Sequence, residues 1–134
     1  MDIKSLEKSL LEIVEKRNEL ATLDYSDSSY DDVEEELHDL EDDFVDEFGA
    51  EIEGILDDIH DDLKSDTDVL LATAYLAKKY KKSEKGFQVS ANEGVAIDSE
   101  KFPKNRLNLV IIPQPFSFAL IIDGKDQKIV WPKK

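Results

Sequence analysis

Large apolar residues recur every three or four positions through residues 30–64 of the chain. These residues are Val33, Leu37, Leu40, Phe44, Phe48, Ile52, Ile55, Ile59 and Leu63. Their mean spacing of 3.75 residues lies near the α-helical period and above the roughly 3.5 residues of a left-handed coiled coil. The stripe therefore predicts one long helix, from Tyr30 to Lys64, that packs on its own domain. A break near Gly49 is the alternative, because glycine in a helix costs about 1 kcal/mol relative to alanine.

Two further helices are predicted, one on each side of this segment. Apolar residues at helical spacing predict a first helix over Asp2–Leu23. The Asp- and Ser-rich residues 24–29 then predict a turn that reverses the chain, so that the first two helices pair antiparallel. The segment Val69–Ala77 is apolar on nearly all sides, and this predicts a third helix that is buried.

The apolar period changes to two after Gly86, which indicates β-strands. Residues 87–90 and 95–98 predict a hairpin with its turn at 91–94, and further strands are predicted over 107–112, over 116–122 and around Ile129. The sequence thus predicts a single α+β domain over residues 1–134. Its helical part covers residues 1–82, and a four- or five-stranded antiparallel sheet covers residues 86–132.

Charge is distributed unevenly between the two halves of the chain. Residues 1–68 hold 26 Asp and Glu against five Lys and Arg, a net −21, whereas residues 69–134 carry a net +6. The whole chain carries −15. Direct binding to nucleic acid or to an anionic membrane is unfavourable for such a chain, because both require a cationic surface. A basic protein or peptide is the partner that this field would attract.

The acidic residues crowd onto the predicted second helix. The name acidic face is used here for six of them: Glu35, Asp39, Asp42, Asp43, Asp46 and Glu47. Several form like-charge pairs four residues apart, and each such pair destabilises a helix by roughly a few tenths of a kcal/mol. The apolar stripe must therefore hold the helix, which leaves the acidic face to dock a basic partner. Mimicry of a nucleic-acid backbone is a lesser alternative, and a merely solvated surface is the simplest one.

Two short motifs raise metal binding as a different function. Glu35-x-x-His38 and Asp57-x-x-His60 each place a carboxylate and an imidazole on one face of a helix. Bundles that hold two bridged iron ions use Glu-x-x-His pairs in this way, although the second pair here begins with Asp. On a straight helix the two pairs would lie roughly 33 Å apart, at ~1.5 Å per residue. A shared metal would therefore require a reversal near Gly49.

The turn before the long helix has oxygen-bearing residues at the spacing of a calcium-binding loop. Asp24, Ser26, Ser28, Tyr30, Asp32 and Glu35 fall at the six ligand positions of such a loop. The sixth residue of the motif is Ser29, where calcium loops need glycine, and the eighth is Asp31, where an apolar residue is usual. A polar turn with a helix cap is the simpler interpretation.

Support for catalysis is weak in this sequence. The chain has no cysteine, no glycine-rich phosphate loop and no serine in a nucleophile-elbow motif. No apolar run reaches the ~20 residues of a membrane span, and no signal peptide is evident. We therefore expect a cytoplasmic, non-enzymatic interaction or adaptor module, monomeric or homodimeric, that uses no cofactor. Its expected partner is a basic protein or peptide, with no direct contact to nucleic acid or membrane.

Overall fold

In the computed structural model, which describes residues 2–83, 86–89 and 93–132, two α-helices precede two antiparallel sheets. Helix α1 spans Ile3–Ala21 and helix α2 spans Tyr30–Leu63. A four-residue 3₁₀ turn follows at Ala72–Tyr75. The strands are β1 Lys81–Ser83, β2 Gly86–Gln88, β3 Val95–Ile97, β4 Leu107–Pro113, β5 Phe116–Ile122 and β6 Asp126–Trp131. The predicted α+β class, the helical hairpin and an antiparallel sheet are confirmed.

Helix α2 is continuous over 34 residues, which corresponds to a length of about 51 Å. Its predicted continuity through Gly49 is confirmed. The helix buries one face, with Phe44, Ile52 and Leu56 fully inaccessible to solvent. It ends where Lys64 adopts a left-handed conformation with φ 52° and its amide donates to the carbonyl of Asp61. Packing of the apolar stripe therefore outweighs the two glycines and the crowding of like charges.

Arg17 links the helical hairpin to the chain that follows it. Its Nε and Nη2 donate to the Glu41 carboxylate at 3.0 and 2.7 Å, which joins α1 to α2. Its Nη1 donates to the carbonyl oxygen of Ala77 at 3.0 Å. Both side chains of this ion pair are more than four-fifths buried. A single guanidinium therefore fixes three segments that are distant in sequence.

The predicted third helix at Val69–Ala77 is wrong, because this segment contains only the 3₁₀ turn. Leu70 and Leu71 are 45% and 60% exposed instead of buried. Two tyrosine hydroxyls accept hydrogen bonds from backbone amides of the segment: Tyr75 Oη from the Leu70 amide at 3.1 Å, and Tyr80 Oη from the Ala77 amide at 2.9 Å. Side chains thus take the place of helical hydrogen bonds, and an apolar composition without a clear period could not reveal this.

The four-stranded sheet has the order β3-β4-β5-β6, and all its neighbours are antiparallel. One face, which includes Leu109 and Leu120, packs against the helices in one core. The opposite face, which includes Val110 and Ala119, packs against Ala77 and Tyr80 in a second core. Burial on both faces explains why strands β4 and β5 are mostly apolar, with one buried polar residue each, Asn108 and Ser117. The second cover is an irregular segment instead of the predicted helix.

The predicted hairpin between residues 87–90 and 95–98 is also wrong. Strand β2 pairs with β1, with Phe87 opposite Lys82, to form a separate two-stranded sheet. Strand β3 pairs with β4, with Val95 opposite Leu109. The predicted turn residues Ala91 and Asn92 lie outside the described residues. The alternating pattern located the strands, but it could not choose their partners.

Candidate acidic docking surface

All six side chains of the acidic face are exposed on α2. They lie within the 13 residues from Glu35 to Glu47, a rise of roughly 18 Å along the helix. The opposite side of the same segment is buried through Leu37, Phe44 and Phe48. None of the six carboxylates forms an ion pair within 4.0 Å with another described residue. The acidic face is therefore a solvated row of negative charge on a helix that the core holds in place.

The carboxylates that do form ion pairs on α2 lie beside α1. Glu36 pairs with Lys16, and Glu41 pairs with Arg17. Lys16 also contacts Glu19 at 3.4 Å, and these acids together raise the pKa of its ammonium, chiefly through the hydrogen bond to Glu36. These contacts neutralise the seam between the helices and leave the acidic face unchanged.

The structure does not bring the two proposed metal-binding pairs together. Glu35 and His38 are exposed in the first half of α2, whereas Asp57 and His60 lie in its last two turns. Because the helix is continuous, the 22-residue offset corresponds to roughly 33 Å. No group of three or more His, Asp or Glu among the described residues could hold a metal ion. The geometry thus offers no shared coordination site for these four residues.

His60 lies inside the protein, although the sequence places it at the edge of the apolar stripe. Its exposed fraction is 4%, and neither Nδ1 nor Nε2 has a hydrogen-bond partner among the described residues. A buried polar group without a partner destabilises the folded state. The imidazole therefore belongs to the interior of the domain and is remote from the acidic face.

The residues of the calcium-loop motif form a turn followed directly by helix. The Asp27 carboxylate accepts a hydrogen bond from the Ser29 amide at 2.8 Å, and the Asp27 carbonyl accepts one from the Tyr30 amide at 3.1 Å. From Tyr30 onward the chain belongs to α2. Asp32 and Glu35 consequently rise along the helix and do not curl around a common centre. This arrangement matches the simpler interpretation, a polar turn before a helix.

A groove that sequence analysis did not predict separates the last turns of α2 from strand β6. Its volume is about 940 Å³, and the residues that line it include Ile59, Leu63, Ile129 and Val130. The partial exposure of Ile129, at 52%, is the feature that marks it as a surface site. The alternating pattern in the sequence suggested a strand here, but it gave no sign that α2 would lie alongside.

Asp98, which follows the last residue of β3, binds the segment that leaves α2. Its Oδ1 accepts hydrogen bonds from the Thr67 hydroxyl at 2.6 Å and from the Ser65 hydroxyl at 3.0 Å. The amides of Asp66 and Thr67 also donate to it, each at 3.1 Å. The Thr67 and Ser65 hydroxyls lower the pKa of Asp98 from its usual value. Asp98 thus attaches the chain that leaves α2 to the edge of the sheet.

Comparison with known proteins identifies no relative of this chain. No family model, curated protein or solved structure matches it. Within the described residues, no helix combines the length and the apolar character needed to cross a bilayer.

Moderate salt is expected to raise the melting temperature of this protein by about 2–5 °C between about 0.02 and 0.3 M NaCl. Salt screens the repulsion among exposed carboxylates four residues apart on α2. Differential scanning calorimetry measures the shift. A variant with Asp39, Asp42, Asp43 and Asp46 all changed to Asn serves as the control, since it should show a smaller increase. A melting temperature that falls over this range would contradict the placement of these charges on the surface.

Proposed function

We propose that this protein is a non-enzymatic interaction module that docks a basic protein or peptide on its acidic face. The observation that carries the proposal is the exposure of all six carboxylates on a continuous, core-anchored helix, without ion-pair partners among the described residues. A rigid row of negative charge attracts cationic partners and speeds their encounter.

The arrangement of charge on the two helices supports the same proposal. Lys16 and Arg17 of α1 neutralise the acids at the seam, Glu36 and Glu41, and these contacts hold the hairpin together. Within the described part of the chain, the acids of the acidic face form no comparable ion pair, and their mutual repulsion opposes folding. Their presence therefore costs stability, and binding a basic partner would offset that repulsion.

The test is capture of partners from a cell lysate by the immobilised protein at about 0.05 M salt, followed by elution at about 0.5 M. The test variant changes Asp39, Asp42, Asp43 and Asp46 to Asn. We expect the wild type to retain a basic protein that high salt releases, and we expect the variant to lose it. Because these substitutions remove like-charge pairs, the variant should be at least as stable as the wild type, so unfolding cannot explain the loss.

A second variant separates a specific site from a general charge effect. It carries Glu12→Gln, Glu15→Gln, Asp24→Asn and Glu100→Gln, all at exposed positions outside the acidic face. Both variants have the same net charge, −11 in place of −15. The control should keep the partner. Equal loss of capture in the two variants, or capture that ignores salt, would contradict docking on the acidic face.

A further inference from the structure

Strand β6 is an edge of the four-stranded sheet and pairs on one side only, with β5, among the described residues. Alternate residues of an edge strand direct their amide and carbonyl groups away from the sheet, where a further strand can bind them. The six residues of β6 extend roughly 20 Å. The strand therefore offers backbone hydrogen bonds to an extended peptide of about seven residues.

A bulge turns the apolar end of β6 toward the helices. Trp131 lies opposite Phe118 and Ile129 lies opposite Ala119, so Val130 is an extra residue in the strand. Bulges of this kind re-aim side chains at sheet edges. Val130 and Trp131 both pack against the core between sheet and helices, whereas Ile129 remains half exposed. The result is an apolar floor directly beside unpaired backbone.

The two ends of the groove carry opposite charge. Asp58 and Asp61 are exposed and line a depression of about 460 Å³ beside Trp131. Lys101 and Lys128 line the groove on the side away from Trp131, and Asp62 lines both the groove and the depression. The Lys128 ammonium lies 6.0 Å from the centre of the Phe102 ring. A ligand that matches this surface has a cationic end, an apolar middle and an anionic end.

We propose that this groove binds an extended peptide segment as a fifth strand on β6, with a basic residue at the Asp58–Asp61 end, apolar residues over Ile129 and Val130, and an acidic residue at the Lys101–Lys128 end. Backbone hydrogen bonds supply affinity in this mode, and the side chains supply specificity. Antiparallel addition places the basic residue near the amino end of the peptide. This site is separate from the acidic face, since Glu47, the last residue of that face, lies roughly 17 Å from Asp58 along α2.

A second copy of this chain is a poorer occupant than such a peptide. Pairing of two β6 edges would bring together two molecules that each carry −15. Like-charge juxtaposition of this kind opposes association. A heterologous segment with a basic end meets no such repulsion.

The probe is the peptide acetyl-Arg-Thr-Val-Thr-Ile-Thr-Glu-amide, whose charged and apolar residues share one face of a strand. Trp131 is the one tryptophan of the chain and borders the groove. Because the probe contains no aromatic residue, a change in tryptophan fluorescence reports on the groove directly. We expect a blue shift that saturates at one peptide per protein.

Two altered peptides test the mode of binding. The first carries N-methyl groups on Val and on the Thr that follows it. Adjacent amides of a strand face opposite sides, so one of the two blocked amides faces β6 in either register. This peptide keeps the charges of the probe, and we expect its affinity to fall at least about tenfold. The second replaces Arg by Glu and should bind about tenfold more weakly, because it meets the Asp58 and Asp61 carboxylates.

Matched protein variants locate the site. A variant with Asp58→Asn and Asp61→Asn should bind the probe with about tenfold lower affinity. A variant with Asp39→Asn and Asp43→Asn makes an equal change in charge on the acidic face, and its affinity for the probe should be unchanged. Ile129→Lys, at a half-exposed position, should also abolish the blue shift. Sedimentation of the protein without peptide measures its oligomeric state and so tests whether a second copy of the chain occupies the groove.

The outcomes are distinguishable from those of the acidic-face proposal. Equal binding of the N-methylated peptide, no response of Trp131, or loss of the probe on changing Asp39 and Asp43 would each overturn the strand-addition site. A stable dimer that Ile129→Lys dissociates would also overturn it, in favour of a second copy. Failure of the lysate capture, by contrast, would concern only the acidic face and would leave these measurements unaffected.

Discussion

Replacing Tyr80 by phenylalanine is expected to lower the free energy of unfolding by about 2–4 kcal/mol. The Tyr80 hydroxyl is buried, accepts from the Ala77 amide at 2.9 Å and donates to the Ile111 carbonyl oxygen at 2.7 Å. Phenylalanine fills nearly the same volume but leaves both backbone groups buried without a partner. Such groups cost about 1–3 kcal/mol each.

The position of Ile111 explains why a hydroxyl is needed there. Strand β3 pairs with β4 only from Leu107 to Leu109, so the edge of β4 continues past the end of its neighbour. The Tyr80 hydroxyl takes the place of the missing strand at Ile111. Tyr80 is itself held by Asn18, whose Oδ1 accepts from the Tyr80 amide at 2.9 Å and whose Nδ2 donates to the Tyr80 carbonyl at 3.1 Å. Tyr80 thus closes the edge of the sheet through its hydroxyl and is attached to α1 through its backbone.

Urea denaturation followed by circular dichroism measures this effect, with Tyr25→Phe as the matched control. Tyr25 is 88% exposed, and its substitution should change stability by less than about 0.5 kcal/mol. Burial also raises the pKa of Tyr80. The folded state therefore loses stability as the pH rises above about 10, the unfolded value, and Tyr80→Phe should reduce this alkaline loss. Equal stability of the Phe variant and the wild type would refute the role assigned to the hydroxyl.

Replacing Gly94 by alanine is expected to destabilise the protein by about 3 kcal/mol or more. Gly94 has φ +81°, a conformation that L-residues with a Cβ rarely adopt. An added Cβ would lie 2.3 Å from the carbonyl oxygen of Leu109 and 3.0 Å from the Cβ of Val110. The obstacle is the backbone of a central strand, which cannot move aside without disturbing the sheet.

The same substitution at Gly54 provides a control of opposite sign. Gly54 lies within α2, and apart from its chain neighbours and the adjacent backbone of the helix, no atom of the described residues lies within 4 Å of its added Cβ. Gly54→Ala should therefore stabilise the protein by about 1 kcal/mol through helix propensity alone. Thermal and urea unfolding of the two variants measure both changes in stability, the expected loss for Gly94→Ala and the expected gain for Gly54→Ala. A Gly94→Ala protein as stable as the wild type would show that the first strand of the sheet does not approach β4 in this way.

Sequence pattern by itself determined the helical hairpin, the solvated acidic face and the two central strands. Each follows from the spacing of apolar residues in the sequence. This spacing averages 3.75 residues in α2, and apolar residues recur at every second position through Leu107–Ile112 and Phe116–Ile122. The exposure of the acids followed from the same repeat, because a buried apolar stripe leaves charges on the opposite side of the helix. Local periodicity was enough for these features.

Tertiary structure alone decided the features that depend on contacts between distant segments. An apolar run at Val69–Ala77 is compatible with a buried helix, but the hydroxyls of Tyr75 and Tyr80 bind its amides and leave a single 3₁₀ turn. The partner of β2, the burial of His60 and the groove beside β6 likewise arise from how separate elements meet. Periodicity reports which side of an element is apolar, but it carries no information about which element covers that side.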